Sequence, residues 1–252
     1  MRIARIAGGV LAWLVLGSAT VSAGSYQILE LDGQAVKWGE PRLGVGATVT
    51  YALVLTPRQF GDARNCREMV PITSLARASR IPMATVEREL AAALAGWQRV
   101  ANIRFRRVAD ASAADILIGA QGEPRGYAYA DVAPVDPPDG EAPGLAAAIG
   151  PGGGGYTASY GPGREPRWRA RVAAISRSLV CLNPAQRWKV GFDGNLSAYD
   201  LRYTFMHEIG HAIGLDHPSG SGELMSFRYL ETFVTPQPGD IGGAVRLYGP
   251  PR

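Results

Sequence analysis

The three histidines of this 252-residue chain, His207, His211 and His217, all lie in one eleven-residue window. In a helix, residues i and i+4 share a face, so His207 and His211 can bind one ion. A hydrolytic zinc site takes three protein ligands and leaves a fourth position for water. Gly214 allows the chain to leave the helix sharply and to return His217 as the third ligand, and Glu208 lies beside the bound water. The window therefore predicts a zinc centre.

The spacing of this window decides how specific the prediction is. A bare H-E-x-x-H can arise by chance, and its simplest interpretation is an amphipathic helix carrying ordinary surface or core histidines. Here the pattern continues with Gly214, three residues after His211, and His217, three residues further on. The absence of any other histidine favours the metal site over that simpler interpretation.

The extended string resembles the metzincin clan of zinc endopeptidases, whose motif ends in a methionine turn. The segment Glu223-Leu224-Met225-Ser226 matches that turn, and Met225 lies eight residues after His217. This short spacing, together with the tail at 240–249, resembles the matrixin family within the clan. The resemblance implies a zinc endopeptidase with one catalytic ion on the three histidines. It further implies Glu208 as general base, Met225 as a hydrophobic floor and Gly214 as a turn residue.

A weaker similarity to matrixins extends upstream over most of residues 35–249. The matching pieces are Trp38-Gly39 with Val49-Thr50-Tyr51, the segment 97–105, and Ala114 to Ile118. The resemblance implies an α/β (α+β) catalytic domain with a twisted, mainly parallel mixed sheet. It also implies two long helices and a C-terminal helix.

Several positions depart from the family pattern. Pro218 follows the third histidine, as in serralysins, but Phe227 stands where serralysins place a metal-binding tyrosine and has no oxygen to donate. Animal matrixins carry a second zinc bound by histidines. None remain here, and Ala147 in the segment 144–149 takes the place of one such ligand. We therefore expect three protein ligands to one ion.

Calcium is a weaker expectation. Asp139-Gly140 could supply oxygen ligands, but calcium requires several carboxylates and carbonyls. The stretch 151–163 contains no acidic residue.

Hydrophobic periodicity predicts the elements around this motif. Alternation and β-branched residues predict a strand at 45–55, and further strands are predicted at 103–108 and 115–120. The four-four-three spacing of Val86, Leu90, Leu94 and Trp97 predicts a core-facing helix. Two segments are predicted to lack regular structure, an irregular one at 56–80 and a long loop at 121–163. Residues 173–182 are predicted to form a strand or a short helix. The zinc helix is predicted at 201–213, capped by Asp200 or Ser197, and a last helix is capped by Asp240.

A substrate of such a site would be a polypeptide bound extended along a sheet edge. The sequence leaves three candidates for that edge, at 127–130, 145–149 and 179–182. The loop 226–235 is expected to shape the pocket for the residue after the cut. Its aromatic residues Phe227, Tyr229 and Phe233 indicate an apolar preference.

The first 23 residues have the pattern of an export signal. Arg2 and Arg5 precede an apolar stretch at 6–16, and Val21-Ser22-Ala23 forms a small-residue cleavage site. The alternative is an uncleaved anchor, but the stretch is short for a spanning helix. We therefore expect one catalytic domain at 24–252, with an N-terminal subdomain to about residue 214 and a C-terminal subdomain at 215–252.

Net charge and cysteine content limit the partners and the cellular compartment expected for this protein. Removal of two arginines and no acids lowers the net charge from +4 to +2, which gives no reason to expect a nucleic-acid partner. We expect a secreted or periplasmic monomer without a stable membrane anchor. In an oxidising compartment Cys66 and Cys181 would form a disulfide. The alternative is that Cys66 is a thiolate that blocks the zinc.

The predicted function is a secreted zinc-dependent endopeptidase. Two other hypotheses stay open. One is an exported module that keeps zinc without turnover, although Glu208 has no purpose in a structural site. The other is a zinc amidase or deacylase acting on cell-wall or small peptides by the same chemistry.

Overall fold

The structure is a computed structural model that describes residues 24–135 and 172–252. Five predictions concern residues outside these ranges. They are the signal segment 1–23, the edge-strand candidate 145–149, Ala147, the possible calcium ligand Asp139-Gly140 and the acid-free stretch 151–163.

The described residues form four helices, one short 3-10 turn and thirteen strands. None of these four helices combines the length and the hydrophobicity that a membrane-spanning segment needs. The helices are α1 (Ile72–Ser79), α2 (Met83–Val100), α3 (Leu201–Ala212) and α4 (Pro238–Tyr248), and the 3-10 turn is Ala111–Ala113. The strands are β1 (Gln27–Ile28), β2 (Glu30–Leu31), β3 (Gln34–Lys37), β4 (Ala47–Leu53), β5 (Arg58–Gln59), β6 (Glu68–Val70), β7 (Ile103–Arg107), β8 (Ile116–Gln121), β9 (Ala128–Pro134), β10 (Val172–Leu182), β11 (Trp188–Lys189), β12 (Tyr199–Asp200) and β13 (Leu215–Asp216).

The central sheet is mixed and mainly parallel, as predicted. Strands β7, β4, β8 and β10 run parallel in that order, and β9 pairs antiparallel with the other side of β10. The parallel strand β3 also pairs with the first residues of β10. The predicted fold class is confirmed.

The sheet has one face under the helices and another under the loop that carries Cys66. On β8, Ile116 and Ile118 join the large core with α2 and α3, whereas Leu117 between them points to a second cluster with both cysteines. The predicted apolar stripe of α2 is buried against this core. Trp97, at its end, donates a hydrogen bond from Nε1 to the carbonyl of Met206 on α3 at 2.9 Å. This contact fixes the metal-motif helix against α2.

Two regions predicted to be irregular contain regular structure. The segment 56–80 holds β5, β6 and α1, and the predicted loop 121–163 begins with β9. Helix α1 has only eight residues and buries Ile72, Leu75 and Ala76, which is too short a stripe to reveal a helix. Strand β9 is half-buried and contains Asp131 and Pro134, both uncommon in strands.

Three further boundaries differ from prediction or resolve an alternative. Residues 172–182 form a strand, not a helix. The α3 helix ends at Ala212, so Ile213 lies at its C-cap, and Asp200 is its N-cap. The last helix is capped by Gln237 rather than Asp240. Asp240 lies inside the first turn, where its side chain accepts from the Gln237 amide in a capping box.

The predicted disulfide is present between Cys66 and Cys181, with the Cα atoms 5.9 Å apart. It joins the loop between β5 and β6 to β10. The Cys66 amide also donates to the carboxylate of Asp131 on β9 at 2.6 Å. Because both thiols are used, the alternative of Cys66 as a zinc-blocking thiolate is excluded in this structure.

Candidate metal centre

Helix α3 places two of the three histidines. Its N-terminus is fixed by Asp200, whose side chain accepts a hydrogen bond from the Tyr203 amide at 2.8 Å. His207 and His211 follow one turn apart on the same face. Beyond the helix, the two-residue strand β13 pairs with β1 and ends immediately before His217.

The three imidazoles converge. The Nε2 atoms of His207, His211 and His217 lie 3.2 Å from one another in all three pairs. The other ring nitrogen of His207 lies 2.9 Å from the Leu224 carbonyl, and that of His211 lies 2.9 Å from the Leu215 carbonyl. Because a carbonyl can only accept, both Nδ1 atoms carry the proton, and the Nε2 lone pairs face inward.

This donor set fits one zinc ion. Nitrogens bound at about 2.0 to 2.1 Å to a tetrahedral ion lie roughly 3.3 to 3.4 Å from one another, close to the observed separation. Metal ligation also requires neutral imidazoles. Burial lowers the pKa of His207 to about 3 and of His211 to about 4, and burial with the neighbouring rings lowers that of His217 to about 2. Carbonyls holding Nδ1 are the usual outer support of metal-binding histidines.

Glu208 lies next to His207 on α3 and is almost completely buried. Burial raises the pKa of its carboxyl to about 8, because an ionised carboxylate loses its hydration there. A buried carboxyl with a pKa near neutrality can both take up and release a proton. The structure thus places the predicted base beside the ligands, in an environment suited to proton transfer.

Gly214 lies where the chain leaves α3. Its φ of +101° is a conformation that L-residues with side chains rarely adopt, and a Cβ atom there would collide with the carbonyl oxygen of Val36. Its amide donates to the His211 carbonyl at 2.9 Å, and its carbonyl accepts from the Leu29 amide at 2.9 Å. Only glycine permits this sharp exit, which leads the chain toward His217.

Met225 is buried beneath α3, with its thioether against Gly210. Its turn is held by Asp240, whose carboxylate accepts from the amides of Leu224 at 2.8 Å and Met225 at 3.0 Å. The same turn supplies the Leu224 carbonyl that holds His207. Sequence reasoning missed both Gly210 and Asp240 as supports of the site. The sequence does contain a signal for Gly210, because a glycine inside a predicted helix often marks a position of close packing.

Aromatic side chains flank the centre, and sequence reasoning did not group them. The Tyr203 ring stacks on His207 with centroids 6.3 Å apart, and Tyr229 meets Tyr203 edge-on at 5.0 Å. Tyr199 extends the cluster to Tyr127 by stacking at 4.6 Å. We call Tyr199, Tyr203 and Tyr229 the aromatic wall.

Phe227 lies beside the third ligand, His217. Its ring is 5.2 Å from that of His217, and 64% of the residue is exposed. The hydrocarbon ring offers no metal-binding atom, as the sequence predicts. Its exposure places an apolar surface beside the third histidine.

The fold and the three-histidine centre over a buried methionine define a protein of the metzincin type. The sequence model of the Matrixin family matches residues 72–249. The chain therefore belongs to the matrixin family.

Individual relatives give the same result. The chain is 26% identical to human matrilysin over 215 residues, covering 83% of this chain and 66% of matrilysin. It is 30% identical to pig interstitial collagenase over 168 residues, covering 66% of this chain and 28% of the collagenase. It is 38% identical to rat matrix metalloproteinase-16 over 71 residues, covering 25% of this chain and 11% of that protein. The chain thus spans less than two thirds of the length of these relatives.

Proposed function

We propose that this protein is a zinc-dependent endopeptidase in which His207, His211 and His217 hold one zinc ion. The observation that carries the proposal is the triangle of Nε2 atoms, 3.2 Å on each side, with the two helical rings oriented by backbone carbonyls. Membership of the matrixin family gives independent support.

A zinc ion held by His207, His211 and His217 would supply Lewis-acid chemistry toward water and toward the carbonyl of the peptide to be cut. Glu208 acts as general base and then as general acid, taking the water proton on its carboxylate and delivering it to the leaving amine. Gly214 and Met225 have supporting roles. Gly214 directs the chain to His217, and Met225 fills the space under the ligand-bearing helix.

We propose that the substrate is a polypeptide bound in extended conformation. Of the described candidates for the binding edge, 179–182 is paired on both sides, by β8 and β9, and has no free edge. The segment 127–130 enters β9, which pairs with β10 along one side. The second side of β9 is therefore the favoured edge among the described residues. The apolar rings of Phe227 and the aromatic wall favour an apolar residue next to the cut.

We further propose that the protein acts as a monomer outside the cytoplasm, either secreted or periplasmic. The disulfide between Cys66 and Cys181 supports this location, because such bonds persist in oxidising compartments. The export-like pattern of residues 1–23 supports the same location.

The test is Glu208→Gln, which keeps the size of the side chain and removes the base. The purified variant should retain one zinc per chain and lose roughly 100- to 10,000-fold in kcat on peptides. Glu123→Gln, an exposed carboxylate in a surface pair with Arg125, is the matched control and should behave as wild type. Zinc content is measured by elemental mass spectrometry and cleavage with an unbiased peptide library.

The outcomes separate the rival functions. A Glu208→Gln variant with wild-type turnover would refute the assigned base. A wild-type protein that binds zinc but cuts no amide supports the non-catalytic module. Hydrolysis confined to small or cell-wall amides supports the amidase.

A further inference from the structure

The segment that follows the methionine turn is fastened to the loop before α3 through Glu231. One carboxylate oxygen of Glu231 accepts hydrogen bonds from the amides of Asp193 at 3.0 Å and Gly194 at 2.6 Å. Lys189 forms an ion pair with the other oxygen and a second pair with Asp193. We call the Glu231 carboxylate, the Lys189 ammonium and the amides of Asp193 and Gly194 the clasp.

The clasp is not an ordinary surface ion pair. The Glu231 side chain is 5% exposed and that of Lys189 is 12% exposed, whereas the surface pair of Glu87 and Arg107 is 39% and 50% exposed. Hydrogen bonds to a charged group are stronger than neutral ones, and burial reduces their screening by solvent. The Glu231 carboxylate is shielded from solvent and contacts one cation and two backbone amides. It therefore holds the segment after the methionine turn and the loop before α3 in one arrangement.

The clasp also orients Tyr229. The Tyr229 hydroxyl donates to the Glu231 carboxylate at 3.0 Å and accepts from the Asp200 amide at 2.8 Å. These two bonds fix the ring, which meets Tyr199 at 5.2 Å and Tyr203 at 5.0 Å. Glu231 therefore positions one member of the aromatic wall.

The aromatic wall reaches the metal ligands. Tyr203 is one turn before His207 on α3 and stacks on its ring. Two residues before Tyr229, the exposed ring of Phe227 lies against His217. The segment 227–231 thus passes beside the centre, with Phe227 at one ligand, Tyr229 on the wall and Glu231 in the clasp. A substrate side chain next to the reacting bond would meet this segment.

We propose that Glu231 is a specificity-positioning residue. Held by Lys189 and by the two loop amides, it keeps Tyr229 and the segment 227–231 in place and so limits the size of the substrate residue accepted beside the cut. This inference rests on the proposed peptidase function. Glu231 acts through Tyr229 and does not touch the reacting atoms.

The experiment compares cleavage of two peptides that differ only in the size of the residue immediately after the cut. Glu231→Gln and Lys189→Met should each weaken discrimination between the peptides roughly threefold to tenfold, the effect of one lost hydrogen bond. The change should come from KM for the bulkier peptide, with kcat and zinc content kept. Tyr229→Phe keeps the ring, removes its hydroxyl and should change selectivity in the same direction.

Glu87→Gln is the matched control, since it removes a carboxylate from the surface pair with Arg107 and should leave the selectivity ratio unchanged. Thermal melting of each variant verifies folding, and Tyr229→Phe tests the inference if Glu231→Gln fails to fold. Folded, zinc-loaded variants that cut both peptides in the wild-type ratio would overturn the role of Glu231 and leave the peptidase proposal intact. A wild-type protein that cuts neither peptide, nor any in a library, would overturn the peptidase proposal itself.

Discussion

Gly210 leaves room for Met225 beneath the helix that carries two of the metal ligands. A Cβ atom at this position would press on the Met225 thioether and lie 2.9 Å from the Trp97 ring. Glycine in a helix interior costs about 0.5 to 1 kcal/mol relative to alanine. The close packing against Met225 and Trp97 explains why the residue is nonetheless a glycine.

Gly210→Ala should therefore destabilise the protein although alanine favours a helix. Overpacking a dense core costs about 1 to 3 kcal/mol, which exceeds the gain in helix propensity. Urea unfolding measures the difference. Gly61→Ala is the matched control, because a Cβ there meets nothing within 4 Å. A Gly210→Ala variant as stable as wild type would show that Met225 moves aside without cost.

Lys37 is a cation with no exposed side-chain surface. Its Nζ donates to the carbonyls of Trp38 at 2.8 Å and Glu40 at 2.7 Å, and lies 5.1 Å from the centre of the Tyr248 ring. Burial lowers the pKa of Lys37 from 10.5 to about 8, against a smaller opposing effect of Glu40. Between these values the folded protein binds fewer protons than the unfolded chain, so the contribution of Lys37 to stability rises with pH.

We predict that the free energy of unfolding of wild type, minus that of Lys37→Met, rises by about 1 kcal/mol between pH 7 and pH 9. Methionine carries no titrating group, so taking the difference removes the pH effects shared by both proteins. Urea titrations at three pH values measure it. The chain has no free thiol within the described residues to complicate the alkaline range. A difference that is flat or falls with pH contradicts the lowered pKa.

At the residue scale, the sequence identifies the side chains proposed to do the chemistry. It does not identify the backbone groups that orient those side chains. The histidines and Glu208 follow from residue type and spacing. The supports of His207 and His211 are the carbonyls of Leu224 and Leu215. Every residue has a carbonyl, so no side-chain pattern distinguishes these two, and only the folded path of the chain brings them to the rings.

At the scale of elements, α2 and α3 are joined by a buried carboxylate. Glu89 on α2 is 2% exposed, and Arg202 on α3 donates to one of its oxygens from Nε at 2.8 Å and from Nη2 at 2.7 Å. Arg88 reaches the other oxygen at 3.3 Å. Removing one partner of a buried pair costs more than replacing both, because it leaves an uncompensated charge.

Arg202→Leu should therefore lower the free energy of unfolding by about 1 to 3 kcal/mol. The double variant Glu89→Leu/Arg202→Leu should be more stable than Arg202→Leu alone. Arg107→Leu, in the exposed pair with Glu87, should cost less than about 1 kcal/mol and serves as control. Denaturant unfolding of wild type, Glu89→Leu, Arg202→Leu and the double variant tests the coupling. Additive losses in the double variant would show that the pair does not link the helices.

Helices and strands were predicted correctly from the sequence where many apolar residues of one element are buried together. Helix α2 extends over 18 residues with its stripe intact, and β8 buries every residue. Sequence reasoning missed the eight-residue α1 and the half-buried β9. These short elements are stabilised by the sheet they lie against, which a local window of sequence does not contain.

At the scale of the whole molecule, the disulfide joins parts of the chain that are 115 residues apart in sequence. It connects the loop between β5 and β6 to β10, the strand whose chain continues to α3 and the metal ligands. Closing so long a loop removes much conformational freedom from the unfolded chain, which is the main stabilising effect of a disulfide in the chain-entropy model. Both cysteines are fully buried, so reducing agents reach the bond only when the structure opens.

Replacing both cysteines, as Cys66→Ala/Cys181→Ala, should lower the free energy of unfolding by about 2 to 5 kcal/mol. Urea unfolding with and without dithiothreitol provides the internal control. Reduction should bring wild type close to the double variant and leave the variant unchanged. Because a loss of this size is a large part of the stability of a single domain, the reduced protein should be poorly folded at 37 °C. A fold that depends on the disulfide supports the proposed location outside the cytoplasm, and a reduced wild type as stable as the oxidised form would remove this support.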